Sequence, residues 1–177
     1  MENQDLILDH EDLSLKSDIE PQRIISLSKF ILFSILTFSL YELWWMYKAW
    51  RFFKQKDKLD VAPAARTIFC IFFLTSLMKI INDYANEKGY TKSYSPVLLF
   101  FGFLIGSLLA YLPEPFWLIS LLSVVFLIPP FRALNFARRN STDFVVEEQT
   151  SLSGRQIALV VIGVTWWGLA LIGLFLG

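Results

Sequence analysis

Long apolar runs separated by short polar segments are the main pattern along the chain. The runs cover residues 24–47, 64–81, 96–112, 116–128 and 156–176. Their apolar residues are nearly continuous, rather than interrupted as in a water-soluble core, which is typical of segments that lie in lipid. The pattern predicts an all-α, multi-pass transmembrane bundle of four to five hydrophobic helices, with residues 24–177 forming one membrane domain.

Several runs carry local signals for where a helix begins. Pro63 stands where a helix can start ahead of the second run, and Ser95-Pro96 offers an N-cap and a first-turn proline to the third. Ser153 and Gln156 have the spacing of a capping box before the last run. The last run is therefore expected to span.

Proline positions predict how the third and fourth runs are connected. Pro113-Glu114-Pro115 leaves room only for a tight turn, so the two runs should form a helical hairpin with Glu114 at its tip. Pro129-Pro130 is expected to end the fourth run. Residues 131–140 then set Phe131, Leu134 and Ala137 against Arg132, Asn135, Arg138 and Arg139. This spacing predicts a short interfacial amphipathic helix, with a solvated loop as the alternative.

The second run leaves the topology open, because it is near the lower length limit for crossing and has Arg66 and Lys79 near its ends. Five spans with the N-terminus inside place ten Lys and Arg residues in the cytoplasm and six outside. Four spans with the N-terminus outside, the second run lying in the interface or re-entering, place thirteen inside and three outside. The positive-inside rule favours the second arrangement.

Composition agrees with a membrane protein and narrows the function. The chain is 55% hydrophobic and 18% charged, with a mean hydropathy of +0.50. Its formal net charge is zero, which gives no electrostatic basis for nucleic-acid binding. Residues 1–23 hold seven acidic and two basic residues, predict a mobile acidic tail, and lack the basic start of a signal peptide.

Catalytic and cofactor chemistry has little support. The single histidine is His10 in the acidic tail, and the single cysteine is Cys70 in an apolar run. These exclude a histidine pair, a disulfide within the chain and a cysteine-built zinc site. No phosphate-binding glycine loop or nucleophile elbow is present. We therefore expect no catalytic residues, metal or cofactor, and a protein that is not an enzyme.

Glu42 is the acidic residue that falls within a predicted span, near its basic end. A carboxylate at the bilayer centre costs about 2.5 to 3.5 kcal/mol, so ionisable groups in membranes are candidates for function. Glu42 is a candidate polar intramembrane site. The alternative is an anchor that reaches the interface or pairs with Lys48 or an arginine of the next loop.

Three further groups are candidates for packing or lipid contact. Gly102, Gly106 and Ala110 share one helix face and predict close packing against another helix of the chain or a second copy. Trp166 and Trp167 lie in mid-span, where they either pack into the bundle or line a lipid or ligand groove. The candidate anchors for anionic lipid headgroups are Trp44, Trp45, Trp50, Lys48, Arg51 and Lys54. The basic residues among these anchors are also explained by orientation alone.

The first run resembles the first helix of a family of small, uncharacterised bacterial inner-membrane proteins, a domain of unknown function. The resemblance rests on Thr37-Phe38-Ser39-Leu40-Tyr41 followed by Trp45-Met46-Tyr47-Lys48, with serine at position 39 where the family has glycine. It implies a multi-pass protein of the bacterial inner membrane. The function expected is a non-enzymatic envelope accessory or interaction subunit, in contact with the bilayer and with a membrane protein or a second copy. The alternative is a small transporter or channel component that uses Glu42.

Overall fold

The computed structural model describes residues 19–149 and 151–176, and its regular structure is mainly helical. The helices are α1 (Leu27–Leu36), α2 (Leu40–Lys56), α3 (Pro63–Ile68), α4 (Cys70–Glu87), α5 (Pro96–Leu108), α6 (Ile128–Arg139) and α7 (Gly154–Leu176). A 3₁₀ turn at Leu109–Tyr111 follows α5, and a 3₁₀ helix at Phe116–Leu127 precedes α6. The predicted helical class is confirmed, with one addition: strands β1 (Gln22–Ile24) and β2 (Val146–Glu148) pair in parallel. Most of the acidic tail, including His10, lies outside the described residues.

The first apolar run is not one helix. Phe38 and Ser39 have positive φ angles of 47° and 65°, and they reverse the chain between α1 and α2. Thr37 bridges the break, because its hydroxyl donates to the Phe33 carbonyl at 2.7 Å and accepts from the Tyr41 amide at 2.9 Å. Phe33 and Tyr41 then lie with ring centroids 5.2 Å apart, so α2 runs back along α1. The single span predicted over residues 24–47 is therefore wrong.

The second run is also interrupted. Helix α3 begins at Pro63 as predicted, but the chain bends at Phe69 before α4. Arg66 lies 4.5 Å from the ring of Trp50 in α2 and 5.1 Å from the ring of Phe73 in α4, which fastens the bend to α2.

The predicted hairpin of the third and fourth runs is confirmed, but its end is not. Gly102 faces Phe126, and a Cβ added at Gly106 would lie 3.0 Å from the Ser123 Cβ. The two glycines therefore let the 3₁₀ helix pack closely against α5. Pro129 and Pro130 do not end the run. They occupy the first turn of α6, where backbone N–H groups have no partner within the helix and proline is tolerated.

Within the described part of the chain, two segments are long and apolar enough to cross a membrane, judged by length and composition. They are Phe116–Arg139, of 24 residues, and Gly154–Gly173, of 20 residues. In Gly154–Gly173, only 11% of the most apolar 18-residue stretch is buried within the fold. Most of α7 therefore presents apolar side chains outward. The shorter apolar helices are Leu27–Leu36 and Pro96–Tyr111.

The tertiary contacts bring together segments that both predicted topologies place apart. Arg51 lies in the basic segment of residues 48–66, here called the basic loop, and pairs with Glu20 ahead of β1. Lys88 after α4 lies 3.4 Å from Asp143 before β2. Together with the pairing of β1 and β2, these contacts gather the N-terminal segment and the polar segments around residues 48–66, 82–94 and 140–153 at one end of the molecule, here called the polar end. Each topology assigned the N-terminal segment and the basic loop to opposite sides of a membrane. Both arrangements need the first run to be one long helix, whereas the chain folds back at Phe38 and Ser39.

Candidate functional site

A cleft at the polar end combines positive charge, aromatic rings and neutral polar groups. Its volume is about 520 Å³. It is lined by β1, the middle of α2, α6 and the start of α7, through Gln22, Arg23, Ile25, Tyr41, Trp44, Trp45, Lys48, Phe131, Asn135, Arg138, Gln149, Ser153, Gly154, Arg155 and Gln156. We call it the basic cleft.

The charges of the basic cleft have one sign. Arg23, Lys48, Arg138 and Arg155 line it, and no aspartate or glutamate of the described residues does. Arg23 pairs outside the cleft with Glu147 at 3.3 Å. For Lys48, Arg138 and Arg155, no carboxylate of the described chain lies within ion-pair distance. The cleft is therefore set up to attract an anion.

Arg138 is the most unusual of these groups, since only 5% of it is exposed. Its guanidinium stacks 4.6 Å from the Phe52 ring, and its Nε and Nη2 have no hydrogen-bond partner in the described structure. The sequence assigned Arg138 to the polar face of α6, but it lies buried with Phe131 and Leu134. A buried cation without a counter-ion is costly, and a bound anion would offset that cost.

Lys48 is half-buried beside these arginines. Burial lowers the pKa of the Lys48 ammonium, and the neighbouring Arg51, Arg138 and Arg155 lower it further, while Glu20 opposes the shift. Arg155 lies 5.9 Å from the ring of Trp44, one helical turn before Lys48. An anion placed among these groups would favour the charged form of Lys48.

Neutral side chains fix the wall of the cleft. The Ser153 amide donates to Gln156 Oε1 at 2.9 Å and the Gln156 amide donates to Ser153 Oγ at 3.4 Å, which confirms the predicted capping box. Gln156 Nε2 also donates to the Tyr41 hydroxyl at 3.0 Å, and Asn135 donates to the Ile25 carbonyl at 3.2 Å. The start of α7 is thus fixed against α2, with the positive end of its dipole at the cleft.

The six predicted headgroup anchors divide into two groups. Trp44, Trp45 and Lys48 line the basic cleft. The others do not: Trp50 is buried beneath Arg66, Arg51 pairs with Glu20, and Lys54 is exposed. Helical periodicity places Trp50 and Lys54 away from the face of α2 that lines the cleft. Arg51 lies on the face of Trp44 and Lys48, but its side chain pairs with Glu20.

Glu42 is 1% exposed, at the start of α2. Its Oε1 accepts a 3.2 Å hydrogen bond from the Ser39 hydroxyl, and its Oε2 has no partner in the described structure. It forms no ion pair with Lys48 or an arginine of the described chain, so one of the two anchor interactions considered from the sequence is not made. Glu42 lines neither the basic cleft nor the apolar cavity that contains Trp166 and Trp167.

The packing candidates have different surroundings. Gly102 and Gly106 pack inside the hairpin, whereas Ala110 is exposed. Trp167 packs on Phe38 with ring centroids 4.8 Å apart, and its indole N–H donates to the Ile35 carbonyl at 3.2 Å. Trp166 is 60% exposed.

Sequence reasoning missed Arg138, Arg155, Tyr41 and Gln156 as members of one site. A signal for Arg138 was present: residues 131, 134 and 138 follow the i, i+3, i+7 spacing of one helix face, so this arginine shares the face of Phe131 and Leu134. No comparable signal exists for Arg155, which reaches the cleft only because α7 docks on α2.

The described residues contain no group of three or more His, Cys, Asp or Glu side chains arranged to hold a metal ion. In comparisons with protein-family models, curated proteins and solved structures, nothing matches the chain. The role of the basic cleft is therefore inferred from its own residues and their chemistry.

Proposed function

We propose that this protein is a non-enzymatic, multi-pass protein of the bacterial inner membrane that binds the phosphate of an anionic lipid headgroup in the basic cleft. The observation that carries the proposal is a set of three cations, one of them buried, that have no carboxylate partner among the described residues. They lie in a cleft that no described acidic residue lines.

The position of the cleft supports a lipid as the ligand. The candidate span Phe116–Arg139 has Arg138 in its last turn, and the candidate span Gly154–Gly173 has Arg155 in its first turn. Both apolar segments thus meet the cleft at the level where hydrocarbon gives way to water and headgroups lie. Trp44 and Trp45 add the indole rings that favour this interface.

The charge distribution along the chain supports a cytoplasmic position for the polar end. Residues 93–131 and 156–177 contain no Lys or Arg, and the one charged residue among them is Glu114. The positive-inside rule then orients the basic cleft toward the cytoplasm and its acidic lipids, where each cation near the surface contributes about 1 kcal/mol.

The test is lipid retention measured by native mass spectrometry of the full chain released from nanodiscs that contain phosphatidylcholine and phosphatidylglycerol. We expect Lys48→Gln and Arg155→Gln each to lower retention of the anionic lipid by about 5-fold, the equivalent of about 1 kcal/mol. Lys54→Gln is the matched control, because Lys54 is exposed outside the cleft. An equal loss in all three variants would leave only nonspecific surface attraction and contradict the proposal.

A transporter or channel role for Glu42 is the second candidate, favoured by its burial and its unpartnered Oε2. In this role the carboxylate binds a transported cation or proton. Glu42→Gln would abolish uptake into proteoliposomes while leaving lipid retention in the basic cleft unchanged. Unchanged uptake of every cation that the wild-type protein moves would exclude this role.

A further inference from the structure

An apolar cavity of about 610 Å³ lies at the other end of α7 from the basic cleft. Gly154 lines the cleft and Gly173 lines this cavity, and a helix places them about 28 Å apart. The cavity is lined by Thr37, Phe38, Leu40, the turn at Glu114 and Pro115, Trp117, Leu118 and the second half of α7. We call it the distal cavity. Its volume is in the range of small-molecule sites.

Four aromatic side chains line the distal cavity: Phe38, Trp117, Trp166 and Trp167. Phe38 stacks near Trp117, with ring centroids 5.9 Å apart and an angle of 24° between the planes. Trp167 lies 4.8 Å from Phe38 and is held by its hydrogen bond to the Ile35 carbonyl. The faces of such rings carry the negative side of the aromatic quadrupole and attract cations.

The charge at the distal cavity is negative. Among the described residues, Glu114 is the one acidic side chain in its lining, and no lysine, arginine or histidine lines it. Glu114 is exposed, and no cation of the described chain lies within ion-pair distance of it. A neutral apolar molecule would make no use of this carboxylate, and an anion would be repelled by it.

We propose that the distal cavity binds a lipophilic organic cation, a quaternary ammonium or phosphonium group carried on an apolar body. The aromatic faces and the Glu114 carboxylate attract its charge, and the leucine and alanine side chains of α7 cover its apolar part. This is the combination by which aromatic cages bind quaternary cations. The site is independent of the basic cleft and of the function proposed for it.

The experiment compares two ions of nearly the same size and shape but opposite charge, tetraphenylphosphonium and tetraphenylborate. Binding is measured by equilibrium dialysis against the full chain in phosphatidylcholine nanodiscs, after subtraction of empty nanodiscs. We expect the cation to bind at least about 10-fold more tightly than the anion. Glu114→Gln should weaken cation binding by about 10-fold, and Trp166→Leu by about 5-fold.

Two controls keep the result specific. Asp60→Asn removes an exposed acidic side chain away from the distal cavity, and Arg155→Gln alters only the basic cleft. Neither should change cation binding. Equal binding of the two ions, or unchanged cation binding in Glu114→Gln, would show simple partition into an apolar groove and overturn the proposal. Because Glu114 and Trp166 are both exposed, their variants are expected to fold, which circular dichroism checks.

Discussion

At the residue scale, the unusual feature is a cation that is buried without a counter-ion. Arg138 is held by aromatic stacking on Phe52 rather than by a carboxylate. Such a group adds little to stability, since the cost of removing its charge from water is not repaid within the described fold. Its presence is more easily explained by a ligand than by folding.

Replacing Arg138 by methionine, Arg138→Met, keeps most of the length and apolar volume of the side chain and removes its charge. We expect its free energy of unfolding to stay within about 1 kcal/mol of the wild type, while anionic lipid retention falls more than in Lys48→Gln. Thermal unfolding in detergent and native mass spectrometry provide the two measurements. A strongly destabilised variant with normal lipid retention would instead assign Arg138 a structural role.

At the element scale, the break between α1 and α2 depends on two residues in the left-handed region. Ser39 has a φ of 65°, a conformation that disfavours any side chain, and its hydroxyl donates to Glu42. Replacement by glycine removes both the hydroxyl and the disfavoured side chain, whereas replacement by alanine removes only the hydroxyl.

Comparing Ser39→Gly with Ser39→Ala separates these effects, because both variants lose the hydroxyl. We expect the glycine variant to have the larger free energy of unfolding, by about 1 kcal/mol, since glycine adopts positive φ without strain. Chemical denaturation in mixed micelles measures the difference. Equal stability of the two variants would contradict a left-handed residue at this position.

The docking of α7 onto α1 depends on close backbone approach at a single glycine. A Cβ at Gly163 would overlap the Leu36 carbonyl and lie 2.8 Å from Thr37 Cα, atoms that cannot move without displacing the end of α1. Gly168, in the same helix, has nothing within 4 Å of such a Cβ.

Gly163→Ala is therefore expected to lower the free energy of unfolding by about 1 to 3 kcal/mol through overpacking. Gly168→Ala should raise it by as much as about 1 kcal/mol, because alanine is the better helix former. Thermal unfolding of the two variants beside the wild type measures both signs. If both variants lost stability equally, the contact between Gly163 and α1 would not be the cause of the loss, and the prediction would be wrong.

At the scale of the whole molecule, the polar loops meet at one end and the Glu114 turn lies toward the other. In the proposed membrane protein, cysteines at positions 57, 92 and 142 should share one side, and a cysteine at 114 should lie on the other. We expect Asp57→Cys, Lys92→Cys and Thr142→Cys, in a Cys70→Ala background, to react with an impermeant reagent only after the cytoplasmic side is opened. Glu114→Cys should react in intact cells. If position 57 were labelled from outside, the first run would have to cross the membrane, and this arrangement would be contradicted.

The sequence by itself determined features that depend on neighbouring residues. The starts of α3, α5 and α7 and the hairpin around Glu114 were predicted from N-caps and prolines, whose hydrogen bonds and backbone restrictions act within one turn of the chain. The apolar runs likewise predicted helices, because their length and continuity are local properties.

Only the tertiary structure decided where those helices break and which charges meet. Helix α1 ends where Trp167 of α7 donates to the Ile35 carbonyl, and the bend at Phe69 is supported by the contact of Arg66 with Trp50 in α2. These contacts join distant segments, so no local pattern specifies them. The basic cleft joins Lys48, Arg138 and Arg155, residues far apart in sequence that come together because α6 and α7 pack near the same face of α2. Hydropathy reports the solvent that a segment prefers, whereas the path of the chain depends on packing between distant segments.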